Sequence, residues 1–351
     1  MPKLRVGFIG AGQNTRERHL PGLRAIDDVE LCAVANRSVE SARRVADEWD
    51  LPRVYAHWRA IVDDPELDAV VIGTWPYLHA PATIAALAAG KHVLCEARMA
   101  LDTASARAML AAAQQSDRVA MLVPSPFGLA GDRTMRRLLA AGAEQADGYV
   151  GQVREVIVRG LADSLASATV PRSWRQRADL SGVNVLTLGI LNETVHRWLG
   201  QTASVMAQES LFVSRRPDRE TGQLADVDTP DCVAVLARLT SGAQCVYLVS
   251  GQASHGGPLR IEIFGSNGTI EYDLSSDGIR AARVGDAALA DVPIPADERG
   301  RWQVEEDFVA AIRQGRPVTR TSFPDGVKYM AFTEAVRRSA ATGRRVALSE
   351  V

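Results

Sequence analysis

The chain has 351 residues, 46% of them hydrophobic, enough for two domains that each bury a core. Forty Lys and Arg against 42 Asp and Glu leave a net charge of −2, so neither nucleic acid nor a membrane surface is expected as a partner. No apolar run approaches the ~20 residues of a membrane span. Met1-Pro2-Lys3 leads straight into a strand pattern, and Cys32, Cys95, Cys232 and Cys245 lack Cys-x-x-Cys spacing, so a cytoplasmic protein without a zinc site or other metal is expected.

In chain order, residues 5–9 are a short β-rich apolar run ending at Gly10-Ala11-Gly12. A helix is predicted from about Asn14, where Asn14-x-x-Glu17 suits a capping arrangement, and residues 29–35 form a second run of strand length. A strand, a glycine turn and a helix N-terminus leave backbone N–H groups directed outward beside the positive end of a helix dipole, a site for a pyrophosphate. Thr15 stands where a third small residue is expected, so Gly10 and Gly12 alone also fit an ordinary tight turn. Their place between two apolar runs favours a dinucleotide-binding unit.

Ser38 is a candidate cap for a helix through Ala42, Val45, Ala46 and Trp49. Residues 67–72 suit a strand buried on both faces, with Gly73 to His79 as the loop that follows and an alanine-rich helix up to Gly90. Residues 91–96 give another strand, Asp102 a cap, 103–115 a helix and 119–123 a last strand. This alternation implies a parallel sheet covered by helices, with ligands bound beyond the carboxyl ends of the strands.

After Pro124 the pattern changes. A helix at 132–141 leads to a half-exposed strand at 153–158, then a helix at 186–199. Residues 232–240 and 245–250 flank Ser241-Gly242, and 259–264 and 269–273 flank Asn267-Gly268, both hairpin signals. Residues 215–228 read as a surface loop, and 305–313 and 329–341 as amphipathic helices. The expected fold class is α/β, with one domain at 1–123 and a second, on an open and mostly antiparallel sheet, at 124–351.

The order of elements resembles the Gfo/Idh/MocA oxidoreductases, the family of glucose–fructose oxidoreductase and inositol dehydrogenase. The supporting segments are residues 6–12, His19-Leu20-Pro21, residues 88–96, Gly189 with Arg197-Trp198-Leu199-Gly200, and residues 265–272. The resemblance implies an N-terminal Rossmann domain and a C-terminal α/β domain whose sheet forms a homo-oligomer interface. It also implies NAD(P)-dependent hydride transfer on a small polar substrate, a sugar, polyol or related keto or imino compound, in the cleft between the domains. The cofactor would be held by Gly10, Gly12, Asn14, Thr15, Asn36, Arg37, Ser38, Thr74, Trp75 and Glu96.

NAD-specific sites place an acid at the end of the second strand. Here that position reads Asn36-Arg37-Ser38, so a 2′-phosphate is not repelled and can pair with Arg37 and Ser38, which favours NADP over NAD. Arg37 also reads as a solvent-exposed residue beside a helix cap.

The family's Glu-Lys-Pro appears as Glu96-Ala97-Arg98, and its Asp and His in the second-domain helix fall on Thr187 and Leu191. Ala97, Thr187 and Leu191 thus replace all three proton-handling residues, although alcohol oxidation requires a base near the hydroxyl proton. Arg98 either anchors an anionic group of the substrate or makes a surface ion pair. Asn192 and His196 share a helix face, with His196 a proton carrier or a packing residue. Tyr77 and His79 are further proton donors to consider, or Tyr77 belongs to an aromatic wall with Trp75. By resemblance Ser125, Phe127, Trp174, Arg175 and Asn184 line the cleft, and His19 is structural. Two other readings stay open: a non-redox dinucleotide sensor, and a lyase or hydrolase that oxidises its substrate transiently.

Overall fold

A computed structural model describes residues 2–124, 129–143 and 149–351, with only the backbone for 140–143. Ser125 and Phe127 lie outside the described residues. The elements run β1 (Leu4–Ile9), α1 (Leu20–Arg24), β2 (Val29–Ala35), α2 (Val39–Glu48), β3 (Arg53–Tyr55), α3 (Trp58–Asp63), β4 (Ala69–Ile72), α4 (Pro76–Ala88), β5 (His92–Cys95), α5 (Thr103–Gln114), β6 (Ala120–Leu122), α6 (Asp132–Ala143), β7 (Val153–Leu161), α7 (Ala178–Ser181) and α8 (Leu188–Leu199). They continue with β8 (Thr202–Ser210), β9 (Arg215–Pro217), β10 (Leu224–Asp226), β11 (Cys232–Leu239), β12 (Gln244–Ser250), β13 (Arg260–Gly265), β14 (Gly268–Asp273), β15 (Gly278–Arg283), β16 (Ala290–Asp291), α9 (Val304–Gln314), α10 (Phe323–Thr342) and β17 (Val346–Ala347).

The chain divides into two units, Met1–Pro124 with Gln303–Met330, and Ser125–Trp302 with Ala331–Val351. The first holds a six-stranded parallel sheet in the order β3-β2-β1-β4-β5-β6. That is the Rossmann order, and it reverses between β1 and β4, where ligands of such sheets bind. All four residues of β4 are buried, as a strand covered on both faces requires. Ser38 caps α2, accepting the Ser41 N–H at 3.2 Å, and Asp102 caps α5 through the Ser105 N–H at 2.7 Å. The expected loop after β4 is shorter than read. Pro76, with φ preset for a first helical turn, starts α4 and so places Tyr77 and His79 on the helix.

Gln303–Met330, which the sequence reading assigns to the second domain, groups with the first unit for visible reasons. α9 packs on α1, the Leu122 N–H donates to the Thr321 carbonyl (3.3 Å), and the Met99 N–H donates to the Tyr329 hydroxyl (2.6 Å). α10 starts at Phe323, ahead of the predicted 329, because Ser322-x-x-Asp325 forms a capping box: the Asp325 N–H donates to Ser322 Oγ (3.3 Å) and the Ser322 N–H to the Asp325 carboxylate (3.1 Å).

The second unit holds a nine-stranded sheet, β16-β15-β14-β13-β7-β12-β11-β8-β17, antiparallel except for the β7–β12 pair. Both predicted hairpins form, β11–β12 and β13–β14. Val156, Val235, Tyr247 and Ile263 point into a core shared with Leu188, Leu191 and Phe332. On β8, β11 and β12 the large apolar residues Met206, Leu236 and Leu248 are exposed instead. Residues 215–228 are not simply a surface loop. They form the β9–β10 hairpin, and Arg216, 1% exposed, donates to the Leu165, Ser167 and Val170 carbonyls. Among the described residues no helix is long and apolar enough to cross a membrane.

Candidate cofactor site

The glycine turn follows β1 at the point of strand reversal. Gly10 has φ +82°, and a Cβ there would lie 2.6 Å from Thr74 Cγ2 and 2.9 Å from the Thr74 nitrogen, so only glycine fits. Thr15, in the position of the missing third glycine, is 1% exposed, and its hydroxyl donates to the Gly10 carbonyl at 3.3 Å. The space it needs comes from across the sheet: a Cβ on Gly73 would lie 2.1 Å from Thr15 Oγ1 and 2.4 Å from the Gly10 oxygen. The small residue has moved to the end of β4. A Cβ on Gly12 would meet nothing nearer than the Gly73 oxygen at 3.6 Å, so this side of the turn stays bare, as a pyrophosphate cradle requires.

Asn36, at the end of β2, accepts the Ala11 N–H at 2.7 Å and so braces the turn. Arg37 is exposed, with its guanidinium carbon 5.6 Å from the centre of the Trp75 ring, while Ser38 is engaged as the α2 cap. These contacts bring Gly10, Thr15, Asn36, Arg37, Thr74 and Trp75 together at the carboxyl ends of β1, β2 and β4.

Asn14 does not cap a helix. Its own backbone is already helical, with φ −62° and ψ −38°, and its amide donates to Glu96, while Glu17 accepts from Gln13 at 2.8 Å. Glu96 follows β5. Its Oε1 also meets His19 Nε2 at 3.0 Å, and its Oε2 accepts the Ala97 N–H at 3.1 Å. Behind it, the Nδ1 of fully buried His19 meets Glu305 Oε1 at 2.5 Å. Burial alone disfavours a charged ring, but the two carboxylates outweigh it and push His19 up to about 9. Burial pushes Glu96 up, and its bonds to His19 and Asn14 more than reverse that, leaving it below the usual carboxylate range. Glu305 carries no motif of its own, and a partner 286 positions from His19 has no local sequence signal.

The proton-donor candidates separate by environment. His79 is 1% exposed, and its Nδ1 lies 2.9 Å from the Arg98 carbonyl and its Nε2 3.0 Å from that of Thr74. It brackets the segments after β4 and β5, and burial lowers its basicity. Tyr77 is 40% exposed, its ring tilted against Trp75 at 6.4 Å. Arg98 is buried, which excludes an exposed surface ion pair.

In the second unit, Thr187 precedes α8 and Leu191 is fully buried. A Cβ on Gly160 of β7 would lie 3.1 Å from Leu191 Cδ1 and 3.2 Å from Thr187 Oγ1, so both positions pack on that strand. The Asn192 amide donates to the Tyr247 hydroxyl (3.0 Å) within the core. His196 Nε2 accepts the Thr202 N–H (3.1 Å), and its ring meets Phe332 edge-on. Trp174 and Arg175 stack at 4.4 Å, and the Asn184 amide donates to the Ser181 carbonyl at 2.6 Å.

A Rossmann sheet, a bare glycine turn at the strand reversal and a carboxylate beyond β5 define an NAD-binding oxidoreductase fold with a separate sheet domain. The chain belongs to the Gfo/Idh/MocA oxidoreductase family: residues 4–123 match its NAD-binding Rossmann model and residues 133–271 its C-terminal domain model. Similar proteins include myo-inositol 2-dehydrogenase of Thermotoga maritima, 26% identical with 99% of each chain covered. Levoglucosan dehydrogenase of Pseudarthrobacter phenanthrenivorans is 27% identical, over 88% of this chain and 87% of the relative. A solved levoglucosan dehydrogenase in complex with NADH and L-sorbose superposes with TM-score 0.84 at 25% identity, covering 99% of each chain.

Proposed function

We propose that the protein is an NADP-preferring oxidoreductase acting on a sugar, a polyol or a related keto or imino compound, with a non-standard proton donor. The observation that carries the cofactor preference is the end of β2, where Asn36 is engaged by the turn and Arg37 stands exposed beside Trp75 with no carboxylate at that position. A 2′-phosphate there would gain a guanidinium partner. The substrate class is supported by relatives named for inositol, levoglucosan and D-apiose.

A bound nicotinamide supplies the hydride chemistry. The turn at Gly10 and Gly12 holds the pyrophosphate, Glu96 the nicotinamide end, and Arg98 orients the substrate. Of the proposed donors, His79 and His196 are engaged by backbone groups, whereas the Tyr77 ring is exposed on the first turn of α4, so Tyr77 is the preferred proton donor. The open face around Leu236 is proposed to join copies of the chain into a homo-oligomer.

The test is a fluorescence titration with NADPH and NADH. Wild type is expected to bind NADPH more tightly, and Arg37→Ala to lose that preference, a change of about tenfold. Equal affinities in wild type would overturn the NADP assignment. Under saturating NADPH, Tyr77→Phe should then abolish turnover of any keto or imino compound that wild type reduces, the step in which the phenol gives its proton to the substrate.

A second reading is a dinucleotide sensor without redox turnover. Leu191 favours it, because the position of the family's histidine is sealed in an apolar core, and so does Ala97 in place of the lysine. Tight binding of a dinucleotide, with no turnover across a panel of sugars and polyols, would select this reading.

A further inference from the structure

His19 is a fully buried ionisable residue for which the scheme above has no use. Its two ring nitrogens meet Glu96 Oε1 at 3.0 Å and Glu305 Oε1 at 2.5 Å. Carboxylates only accept hydrogen bonds, and a neutral imidazole carries one N–H. Both contacts therefore need one proton more than a neutral ring and two carboxylates possess.

The three groups differ in access. The side chains of His19 and Glu305 are 0% and 3% exposed, whereas that of Glu96 is 14% exposed. Glu96 is the open end of a sealed chain. Through Asn14 it also ties the helical segment after the glycine turn to the end of β5. Gly22 in α1 makes room for the arrangement, since a Cβ there would lie 2.8 Å from Glu305 Oε2 and 2.9 Å from its Cδ.

We infer that His19 and Glu305 are positioning residues for dinucleotide binding: the proton they share with Glu96 fixes that carboxylate beyond β5, and binding of a reduced dinucleotide requires it. The inference rests on the dinucleotide-binding reading of the first unit. The titratable groups acting on His19 are Glu96 beyond β5 and Glu305 on α9, and His79 on α4 acts in turn on Glu96. Loss of the His19 proton removes one of its two hydrogen bonds. It also takes the set from one net negative charge to two, beside a ligand whose phosphates are themselves anionic.

The experiment is a titration of the full chain with NADPH and NADH, read by fluorescence from pH 6 to 10, on wild type, Glu305→Gln and Gly22→Ala. Wild-type affinity should hold to about pH 9 and fall above it, following the His19 proton. With Glu305→Gln the fall should begin about one pH unit lower, so that affinity drops about twofold at pH 8 and about tenfold at pH 10 relative to wild type. Gly22→Ala changes no charge but displaces Glu305, and should move the profile the same way by less. It keeps the test open should Glu305→Gln fail to fold. Wild-type binding whose affinity and pH profile neither variant alters overturns the inference, as does a loss that is equal at every pH. If wild type binds neither dinucleotide, the dinucleotide reading itself falls and takes the inference with it.

Discussion

Thr15 and Gly73 show how a motif can depart from its pattern and keep its geometry. The third glycine of a dinucleotide turn lets a helix approach the sheet closely. Here the helix side carries a threonine, and the glycine is on the facing strand end. The expected consequence is that Gly73→Ala behaves as a turn mutation. Its Cβ would press on the Gly10 carbonyl, a backbone atom that cannot swing aside, as well as on the Thr15 hydroxyl. Unfolding by urea should show a loss of about 1–3 kcal/mol, and NADPH binding should weaken with it. The double variant Thr15→Ala with Gly73→Ala should recover only part of the stability, because the clash with the Gly10 oxygen remains. Full recovery would mean that the hydroxyl contact alone sets the spacing.

At the scale of elements, strand β8 carries an unfavourable group. Glu209 lies 3.1 Å from Arg337, yet one of its carboxylate oxygens is buried without a hydrogen-bond partner. Burial outweighs the arginine and pushes Glu209 up to about 7. Because the folded value lies above the ordinary one, the penalty is absent where the group is protonated in both states. It accrues as pH rises from about 4.5 to 7. Glu209→Gln should therefore raise stability by about 1–3 kcal/mol at pH 8 and change little at pH 4.5, as read by thermal unfolding at the two pH values. Destabilisation at pH 8 would show that the Arg337 pair dominates instead.

The same scale explains what the sequence could tell. β4 was legible because four consecutive apolar residues buried on both faces need no alternation, and the hairpins because Ser241-Gly242 and Asn267-Gly268 mark their turns. The capping box at Ser322 was equally local, but Pro324 and Gly326 masked the helix it starts. The Glu305–His19–Glu96 chain was not legible, because it joins three segments that are far apart in sequence and only the folded sheet brings together.

For the whole molecule the question is what covers the open face of the nine-stranded sheet. Met206 and Leu236 stand directly opposite each other in the β8–β11 register, 46% and 57% exposed, and Leu248 on β12 is 39% exposed. Single exposed apolar residues are ordinary, but neighbouring strands presenting them on one face are the ground for the association surface proposed above. A second copy of the same face is self-complementary, as a two-fold interface requires. Leu236→Lys tests this at little cost to the monomer, because the side chain leaves the sheet on the side away from the core. Near a two-fold axis the substitution sets two ammonium groups close together in an apolar interface, which disfavours association by several kcal/mol. Light scattering after size exclusion should give a multiple of the chain mass for wild type and a single chain for the variant, with unchanged circular dichroism. A variant that keeps the wild-type mass would place the association surface elsewhere.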